Sequence, residues 1–408
     1  MKNVNEKAIA IVKIESENIQ KAVFEALNLI GASALMHKEG MKVLLKPNVL
    51  IAKDPSKGAT THPEVIRAVI RWVKQFNPSE IYCGDSSGGL AAGITEKALK
   101  ACGIQAVCEE EGAICLPLEK SERKTYEVKN PLLLKEIVST KLLEDADLII
   151  NIPKIKTHGQ CVLTCCIKNM FGTILLGNKP SMHVKFPKLS DFNAALCDIY
   201  SVSRPQLTVI DGYIGMEGNG PSGGDPVKMD LIIAGYDPIA LDTSVCKITG
   251  IEPSKVLYLK HGEKKGLGTM DLNQIEYKGK RSEEVFQKFK MPRSVAFSIA
   301  LPRKMADYAA KTVFKSTVEF DKNKCKLCGT CWKNCPVAAI TPPKEMKQGN
   351  VPNWNSEKCI TCYCCAELCP YEAVEFKVNI IKNVLKSWFS VLLLLGIAAV
   401  IILLYILL

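Results

Sequence analysis

Cysteine is the residue whose number and spacing point most directly to chemistry in this chain of 408 residues. Nine of the 18 cysteines lie between Cys325 and Cys369. Eight of these form two runs with the same spacing, each followed by proline: Cys325, Cys328, Cys331, Cys335 and Pro336, then Cys359, Cys362, Cys365, Cys369 and Pro370. A chain of this length buries a core without disulfides, so the runs predict metal ligation. Zinc motifs pair two cysteines rather than aligning four, which disfavours zinc.

The doubled run resembles the bacterial two-cluster ferredoxins. In such proteins the fourth cysteine of each run ligates the cluster of the other run. The resemblance therefore implies two [4Fe-4S] clusters, one on Cys325, Cys328, Cys331 and Cys369, the other on Cys359, Cys362, Cys365 and Cys335. It also implies one-electron transfer and a redox partner protein. The ninth cysteine, Cys364, is predicted to be a bystander beside the ligands.

The first 300 residues predict an α/β domain. Six apolar segments alternate with helical periods, and the candidate strands are Ala8–Ile14, Val43–Lys46, Ile81–Cys83, Leu148–Ile152, Leu207–Ile210 and Leu231–Ala234. A helix over Pro63–Phe76 has proline in its first turn. This alternation favours a mainly parallel sheet covered by helices. The predicted architecture continues with an α+β bacterial ferredoxin-like domain and a C-terminal transmembrane helix.

Polar segments follow four of these strands, at 47–49, 84–89, 153–159 and 211–221, and the last three contain glycine. Ligands of open α/β sheets bind beyond the carboxyl ends of the strands, where glycine lets backbone amides approach an anion. The candidate cofactor-binding residues are Gly84, Gly88, Gly89, Lys154, Lys156, Gly218 and Gly220. The chain has neither a Walker loop nor a clean dinucleotide fingerprint. The identity of any additional cofactor in this domain therefore stays open.

Titratable residues in the same segments suggest a small anionic substrate. Lysines beside a histidine suit a carboxylate or phosphate, with His158 available for proton transfer. The candidate catalytic residues are His158, Lys168, Asp85 and Asp211, of which the aspartates would bind a cation or hold the lysines. The alternative is a solvated basic loop. Cys161, Cys165 and Cys166 fit no metal spacing and are predicted to be buried free thiols.

The same segments resemble a known family. KPNV at 46–49, GDSSGG at 84–89, PKIKTHGQCVLTCCIKNMFG at 153–172 and DGYIGMEGNGPSGG at 211–224 are similar to the bacterial and archaeal domain of unknown function number three-sixty-two. Members of that family are often fused to a two-cluster ferredoxin module. A weaker resemblance concerns His158, Lys168 and His183, whose spacing is similar to that of the residues holding the nickel-pincer cofactor in lactate racemase.

The two ends of the chain and its charge predict a location. The start lacks a secretory signal, whereas 388–408 contains 21 uncharged residues, enough for a transmembrane helix. Lys377, Lys382 and Lys386 precede that segment, so the positive-inside rule predicts a C-terminal tail anchor with the protein on the cytoplasmic side of the cell membrane. Residues 278–408 carry 20 Lys+Arg against 10 Asp+Glu. We expect this charge to favour an anionic membrane surface, and we expect no nucleic-acid partner.

The sequence thus predicts an α/β domain over 1–277, a basic linker at the membrane surface over 278–320, a ferredoxin domain over 321–377 and the anchor over 388–408. The leading hypothesis is a membrane-anchored iron–sulfur protein that transfers electrons to or from a site in the α/β domain, as an oxidoreductase. The alternative is a non-catalytic binding or assembly module that docks a redox partner and delivers electrons to it.

Overall fold

The computed structural model describes residues 4–89, 92–176, 178–292 and 316–378. The strands are β1 Ala8–Lys13, β2 Lys42–Pro47, β3 Glu80–Cys83, β4 Ile114–Cys115, β5 Arg123–Glu127, β6 Glu136–Thr140, β7 Leu148–Ile152, β8 Lys154–His158, β9 Val162–Thr164, β10 Leu207–Glu217, β11 Asp225–Gly235, β12 Glu276–Gly279, β13 Ser316–Phe320, β14 Ile340–Thr341, β15 Asn353–Trp354 and β16 Val374–Val378.

The helices are α1 Ile19–Leu29, α2 Pro63–Lys74, α3 Ile94–Ala101, α4 Ile104–Glu110, α5 Leu142–Asp145, α6 Cys166–Asn169, α7 Asn178–Lys185, α8 Leu189–Ser203, α9 Pro238–Thr249, α10 Leu257–Lys264, α11 Thr330–Lys333 and α12 Cys364–Glu367. Short 3₁₀ turns cover Ala32–Leu35, Pro55–Lys57, Leu118–Lys120, Met170–Thr173, Pro253–Lys255, Leu272–Gln274 and Ser282–Val285. Helix α2 begins where predicted, with Pro63 in its first turn and the His62 side chain accepting the Glu64 amide at 3.3 Å.

The first domain is built on one sheet with strand order β12-β1-β11-β10-β7-β2-β3-β4. Strands β10, β7, β2, β3 and β4 pair in parallel, as β1 does with β12. Only β11 along this order runs against its neighbours. Residues 218–224 return the chain from β10, and β11 pairs antiparallel with both β10 and β1. The prediction of a mainly parallel α/β sheet is confirmed.

Both faces of the sheet are buried under helices. Along β1, Ile9 and Ile11 pack into the core beneath α8, α9 and α10, whereas Ala8, Ala10 and Val12 pack into the core beneath α1 and α2. Successive side chains of a strand point to opposite faces, so a strand covered on both sides must be apolar throughout. This explains why the strands are apolar runs rather than alternating patterns.

Two segments predicted as loops after strands are themselves strands. Residues 154–158 form β8, which is buried at all five positions and pairs with β10 and β9. Strand β10 does not end at Ile210 but continues to Glu217, with an irregularity between Gly212 and Ile214. These segments were not predicted as strands because they contain lysines and a glutamate. Charged residues are ordinarily excluded from buried strands.

The second domain contains the cysteine runs. Strands β13 and β16 pair antiparallel, as do β14 and β15, and helices α11 and α12 lie in the two runs. Its small core combines Val318, Ile340, Ala373 and Val374 with buried cysteines.

The segment after 277 extends the first domain rather than starting a linker. Strand β12 ends at Gly279, and Val285 and Phe289 lie in the core of the α/β domain. Three of the basic residues in this segment are ion-paired within the domain, Lys278 with Glu276 at 2.5 Å, Lys280 with Glu284 at 3.6 Å and Lys290 with Glu217 at 3.1 Å. Residues 293–315, which form the middle of the predicted basic linker, lie outside the described residues.

The structure does not support the predicted tail anchor. Within the described ranges, no helix combines the length and the apolar character needed to cross a bilayer. The segment 388–408, on which the prediction rested, lies outside those ranges. The transmembrane helix and the tail-anchored location are therefore withdrawn.

Candidate functional site

The eight cysteines of the two runs line two small cavities in the ferredoxin-like domain. Each has an empty volume of about 300 Å³. One is lined by Cys325, Cys328, Cys331 and Cys369, the other by Cys335, Cys359, Cys362 and Cys365. Each cavity thus receives three thiols from one run and one from the other, which is the grouping that the ferredoxin resemblance implies. Four thiols around an apolar space of this kind fit an iron–sulfur cluster.

The fourth cysteine of each run also has a matching backbone contact. The amide of Ala339 donates to Cys335 Sγ at 3.2 Å, and the amide of Ala373 donates to Cys369 Sγ at 3.3 Å. The contact joins residues four apart in both runs. Hydrogen bonds to sulfur help to set the reduction potential of a cluster, so both sites carry the same backbone contribution.

A larger pocket lies where the two domains meet. Its empty volume is about 700 Å³, including its mouth. One wall comes from the carboxyl ends of β2 and β3 and from β8, through Asn48, Asp85, Lys156 and His158. The opposite wall comes from α12 and the residue after it, Leu368, inside the second cysteine run. This is the position that the strand-end rule predicts for a ligand.

Direct contacts hold the ferredoxin-like domain over this pocket. The Ser222 hydroxyl donates to the Glu367 carbonyl at 2.8 Å, and the Gln160 side-chain amide donates to the Thr361 carbonyl at 3.3 Å. Lys53 and Glu372 form an ion pair with Nζ and Oε1 2.5 Å apart. Gly88 lets the two domains approach, since a Cβ built there would lie 2.9 Å from Leu368 Cδ2.

The two candidate aspartates are held in buried ion pairs. Asp85 pairs with Lys46 at 2.8 Å and Asp211 with Lys154 at 2.8 Å. Asp85 also accepts the amides of Val49 and Ser86. Because these partners occupy the carboxylate oxygens, the two ion pairs serve to hold the surrounding backbone in position. Lys46 was missed, because a lysine at the end of an apolar strand resembles the edge of a loop.

Asp211 and Lys154 lie behind the pocket rather than on its wall, within the described residues. Asp211 accepts the amides of His62 and Tyr213 in addition to the Lys154 ammonium. Burial lowers the pKa of Lys154, and Asp211 opposes that shift. The role assigned to them from sequence stays a prediction.

Two buried lysines face the pocket without a carboxylate within ion-pair distance among the described residues. Lys156 donates to Asn48 Oδ1 and to the Ala59 carbonyl, each at 2.8 Å, and Lys179 donates to the carbonyls of Ser86 and Ser87. Burial lowers the pKa of each ammonium to about 7. Each therefore holds its proton weakly and is stabilised in its charged form by an added anion.

A buried amide network orients Lys156. Asn48 donates to Asn169 Oδ1 at 2.9 Å, and Asn169 in turn donates to Asn151 Oδ1 at 2.7 Å. Lys179 and the asparagines were not predicted from sequence. For two of the asparagines there was one indication in the sequence, which was their position at the end of a strand. Asn48 directly follows β2 and Asn151 lies within β7, and both are beside the sheet edge where ligands bind.

The structure brings His158, Lys168 and His183 to the same pocket. Burial, and then the charge of Lys168, lowers the pKa of His183 to about 3 and the pKa of His158 well below its ordinary value. Both rings are therefore neutral at pH 7. The similarity of their spacing to lactate racemase stays a hypothesis.

The contacts of His158 assign its proton. Its Nδ1 accepts the amides of Gln160 at 3.0 Å and Cys161 at 3.3 Å, so the neutral ring carries its proton on Nε2. Nε2 faces Glu367 Oε1 at 3.7 Å, and that oxygen has no hydrogen-bond donor among the described residues. His158 is thus placed to present a proton to the pocket rather than to accept one at Nε2.

Lys168 is held by aromatic rings instead of by an acid. Its Nζ lies 4.8 Å from the centre of the Phe171 ring and 5.7 Å from that of Phe192. His183 stacks on Phe192 with ring centres 4.5 Å apart. Cation–π contacts hold an ammonium without neutralising it. Lys168 therefore lines the pocket without an acidic partner among the described residues.

The candidate glycines have separate roles. Gly88 and Gly89 line the pocket, whereas Gly84, Gly218 and Gly220 do not. The expected anion nest is not available, because the loop amides already have acceptors. Those of Ser86, Ser87 and Gly88 donate to Asp85 Oδ1, Thr95 Oγ1 and the Leu50 carbonyl. Side chains, and not backbone amides, must bind an anion here.

Comparison with known proteins places the chain beside several relatives. It is 29% identical over 255 residues to a thylakoid-associated protein of Synechocystis sp., covering 62% of this chain and 77% of that one. A crystal structure of a protein from Thermotoga maritima matches with 16% identity and a TM-score of 0.32, covering 52% of each chain. The lactate racemase apoprotein of Thermoanaerobacterium thermosaccharolyticum matches with 14% identity and a TM-score of 0.30, covering 65% of this chain and 58% of that one. The chain thus spans less than two thirds of either solved structure.

Two family matches cover both domains in the predicted order. Residues 317–370 match the 4Fe-4S dicluster domain, which supports iron–sulfur binding by the cavities described above. Residues 43–247 match the domain of unknown function DUF362, and this range contains nearly all of the pocket wall contributed by the α/β domain. The chain belongs to the DUF362 family and carries a 4Fe-4S ferredoxin domain.

Proposed function

We propose that this protein transfers electrons between two [4Fe-4S] clusters and a small anionic molecule bound in the pocket between its domains. One observation carries the proposal: helix α12, within the second cysteine run, forms a wall of that pocket. A molecule bound there lies against the segment that holds Cys362 and Cys365. Electron transfer and anion binding would then occur at one site.

The cysteines support two cluster sites. The cavity with Cys325, Cys328, Cys331 and Cys369 would hold one cluster, and that with Cys335, Cys359, Cys362 and Cys365 the other. When bound, such clusters supply one-electron transfer over a wide range of potentials. The chain supplies buried thiols, two amide-to-sulfur hydrogen bonds and an apolar shell.

The charge of the pocket supports an anionic ligand. Lys46 is neutralised by Asp85, whereas Lys156, Lys168 and Lys179 have no carboxylate within ion-pair distance among the described residues. Glu367 on the pocket wall offsets only part of this charge, because burial raises the pKa of its carboxyl group to about 7. An anion would lower the cost of burying the three ammonium groups.

A charge substitution tests the electrical link between pocket and ferredoxin domain. We expect Lys168→Met to lower the reduction potential of one cluster by roughly tens of millivolts, because a nearby positive charge stabilises the added electron. The effect of a charge falls with distance, so the cluster nearer to Lys168 should show the larger shift. The measurement is an anaerobic redox titration of the full chain, followed by electron paramagnetic resonance.

The matched control is Lys97→Met, which removes an equal charge from the exposed surface of α3. Its effect is screened by solvent, and both potentials should stay at the wild-type values. If Lys168→Met also leaves both potentials unchanged, the pocket and the clusters are not electrically linked. That result would refute the proposal.

A further inference from the structure

We infer that the pocket accepts an organic carboxylate with an apolar body, whose carboxylate pairs with Lys168 between Lys156 and Lys179. This inference rests on the proposed function for the role of that molecule as the electron donor or acceptor. Its binding, however, follows from the pocket alone and can be measured without electron transfer.

The arrangement of the three lysines indicates where the carboxylate lies. Lys156, Lys168 and Lys179 all line the pocket, so their ammonium groups share one cavity. Lys156 and Lys179 each donate two hydrogen bonds to the protein, which leaves one N–H on each ammonium. Lys168 has no acceptor within hydrogen-bonding distance among the described residues.

The kind of free donor favours a carboxylate over a phosphate. Phosphate sites are ordinarily built from several free backbone amides at a helix start or a nest. Here the amides of Ser86, Ser87 and Gly88 are already bonded within the protein. The free donors are instead N–H groups of the three ammonium groups, which suit the charged oxygens of a carboxylate.

The rest of the pocket indicates an apolar body. Its remaining lining includes Val49, Leu50, Phe171, Pro180, Pro221 and Leu368. Leu368 comes from the second cysteine run, so the body of the ligand would lie nearest to the ferredoxin-like domain. A hydroxylated or highly charged body would leave polar groups without partners there. The neutral His158, with its proton on Nε2, adds a single donor at this side.

Binding of simple probes to the full chain, purified anaerobically with oxidised clusters, tests the inference. We expect isothermal titration calorimetry to show benzoate binding at least about ten-fold more tightly than acetate, because its ring loses water-exposed surface. Benzamide, which has the same shape without the charge, and inorganic phosphate should bind more weakly than benzoate. Phosphate binding more tightly than benzoate would overturn the assignment to carboxylates.

Variants of Lys168 identify the anchoring group. We expect Lys168→Met to weaken benzoate binding by roughly 10- to 100-fold, the range for a lost charge-assisted hydrogen bond. Lys168→Arg should keep most of the affinity, which separates loss of charge from misfolding, and Lys97→Met should bind as the wild type does. Equal affinity of Lys168→Met and wild type would refute the inference.

The two proposals fail in different ways. If benzoate does not bind but Lys168→Met still shifts one reduction potential, the carboxylate assignment is wrong and the electrical link stands. If benzoate binds through Lys168 but neither potential responds, the site is a carboxylate site without electron transfer, and the proposed function fails.

Discussion

Replacing Cys328 and Cys369 together by alanine should remove one cluster and leave the other intact. The two thiols come from different runs but line the same cavity. We expect iron to fall from about eight to about four atoms per chain, since each cubane holds four irons. The remaining cluster should give the electron paramagnetic resonance spectrum of an isolated centre when reduced.

A second double variant discriminates between the two possible groupings. Cys362→Ala with Cys369→Ala removes two cysteines of the same run, which lie in different cavities. If the runs interlock, each cluster loses a ligand and neither stays an intact cubane. If each run held its own cluster, this variant would keep one intact cluster and the first double variant would keep none. The two groupings therefore predict opposite results for which of the two double variants keeps an intact cluster.

Cys364→Ala is the internal control. This thiol lies beside Cys365 and lines the pocket between the domains, and it belongs to neither thiol-lined cavity. Iron content and both spectra should match those of the wild type. A loss of about four irons in this variant would show that Cys364 is a ligand and that the grouping is incorrect.

The cysteine sites were predictable because their information is local. Three thiols on one short loop are positioned by the spacing of the run itself, and only Cys335 and Cys369 require a contact between distant segments. The resemblance to the two-cluster ferredoxins supplied that contact, because in those proteins the fourth cysteine of each run ligates the cluster of the other run. The parallel sheet was predictable for a similar reason, since apolar runs alternating with helical periods indicate it.

The pocket was only partly predictable because its parts are distant in sequence. His158 and Lys168 were identified from their own segment, but Lys179 was not, and the wall formed by α12 depends on how two domains pack. Burial of charge also misled the prediction. Lysines in 153–159 indicated a loop or a ligand site, whereas Lys154 neutralises Asp211 across the neighbouring strand. Asp211 lies 57 residues away, and although it was expected to bind a cation or hold the lysines, the local pattern does not indicate which lysine it pairs with.

Lys154→Met should be one of the most destabilising single substitutions on the sheet. The Lys154 and Asp211 side chains are fully buried and lie 2.8 Å apart, so removing the ammonium leaves a buried carboxylate without its counter-charge. Breaking a buried pair from one side costs about 3–5 kcal/mol of folding free energy. For a domain of this size we expect the midpoint of thermal unfolding to fall by roughly 10 °C, measured by circular dichroism on the anaerobic protein.

A double variant shows whether the unpaired charge is the cause. Asp211 accepts the amide of His62 at Oδ2 and that of Tyr213 at Oδ1, so Asp211→Asn removes the charge and keeps one of these two acceptors. Lys154→Met with Asp211→Asn should therefore recover a large part of the lost stability, because no buried charge stays unpaired. Lys42→Met, which breaks the exposed pair with Glu80 on the same sheet, should leave the midpoint close to the wild-type value. If the double variant were as unstable as Lys154→Met alone, lost packing around the lysine stem, and not charge, would account for the effect.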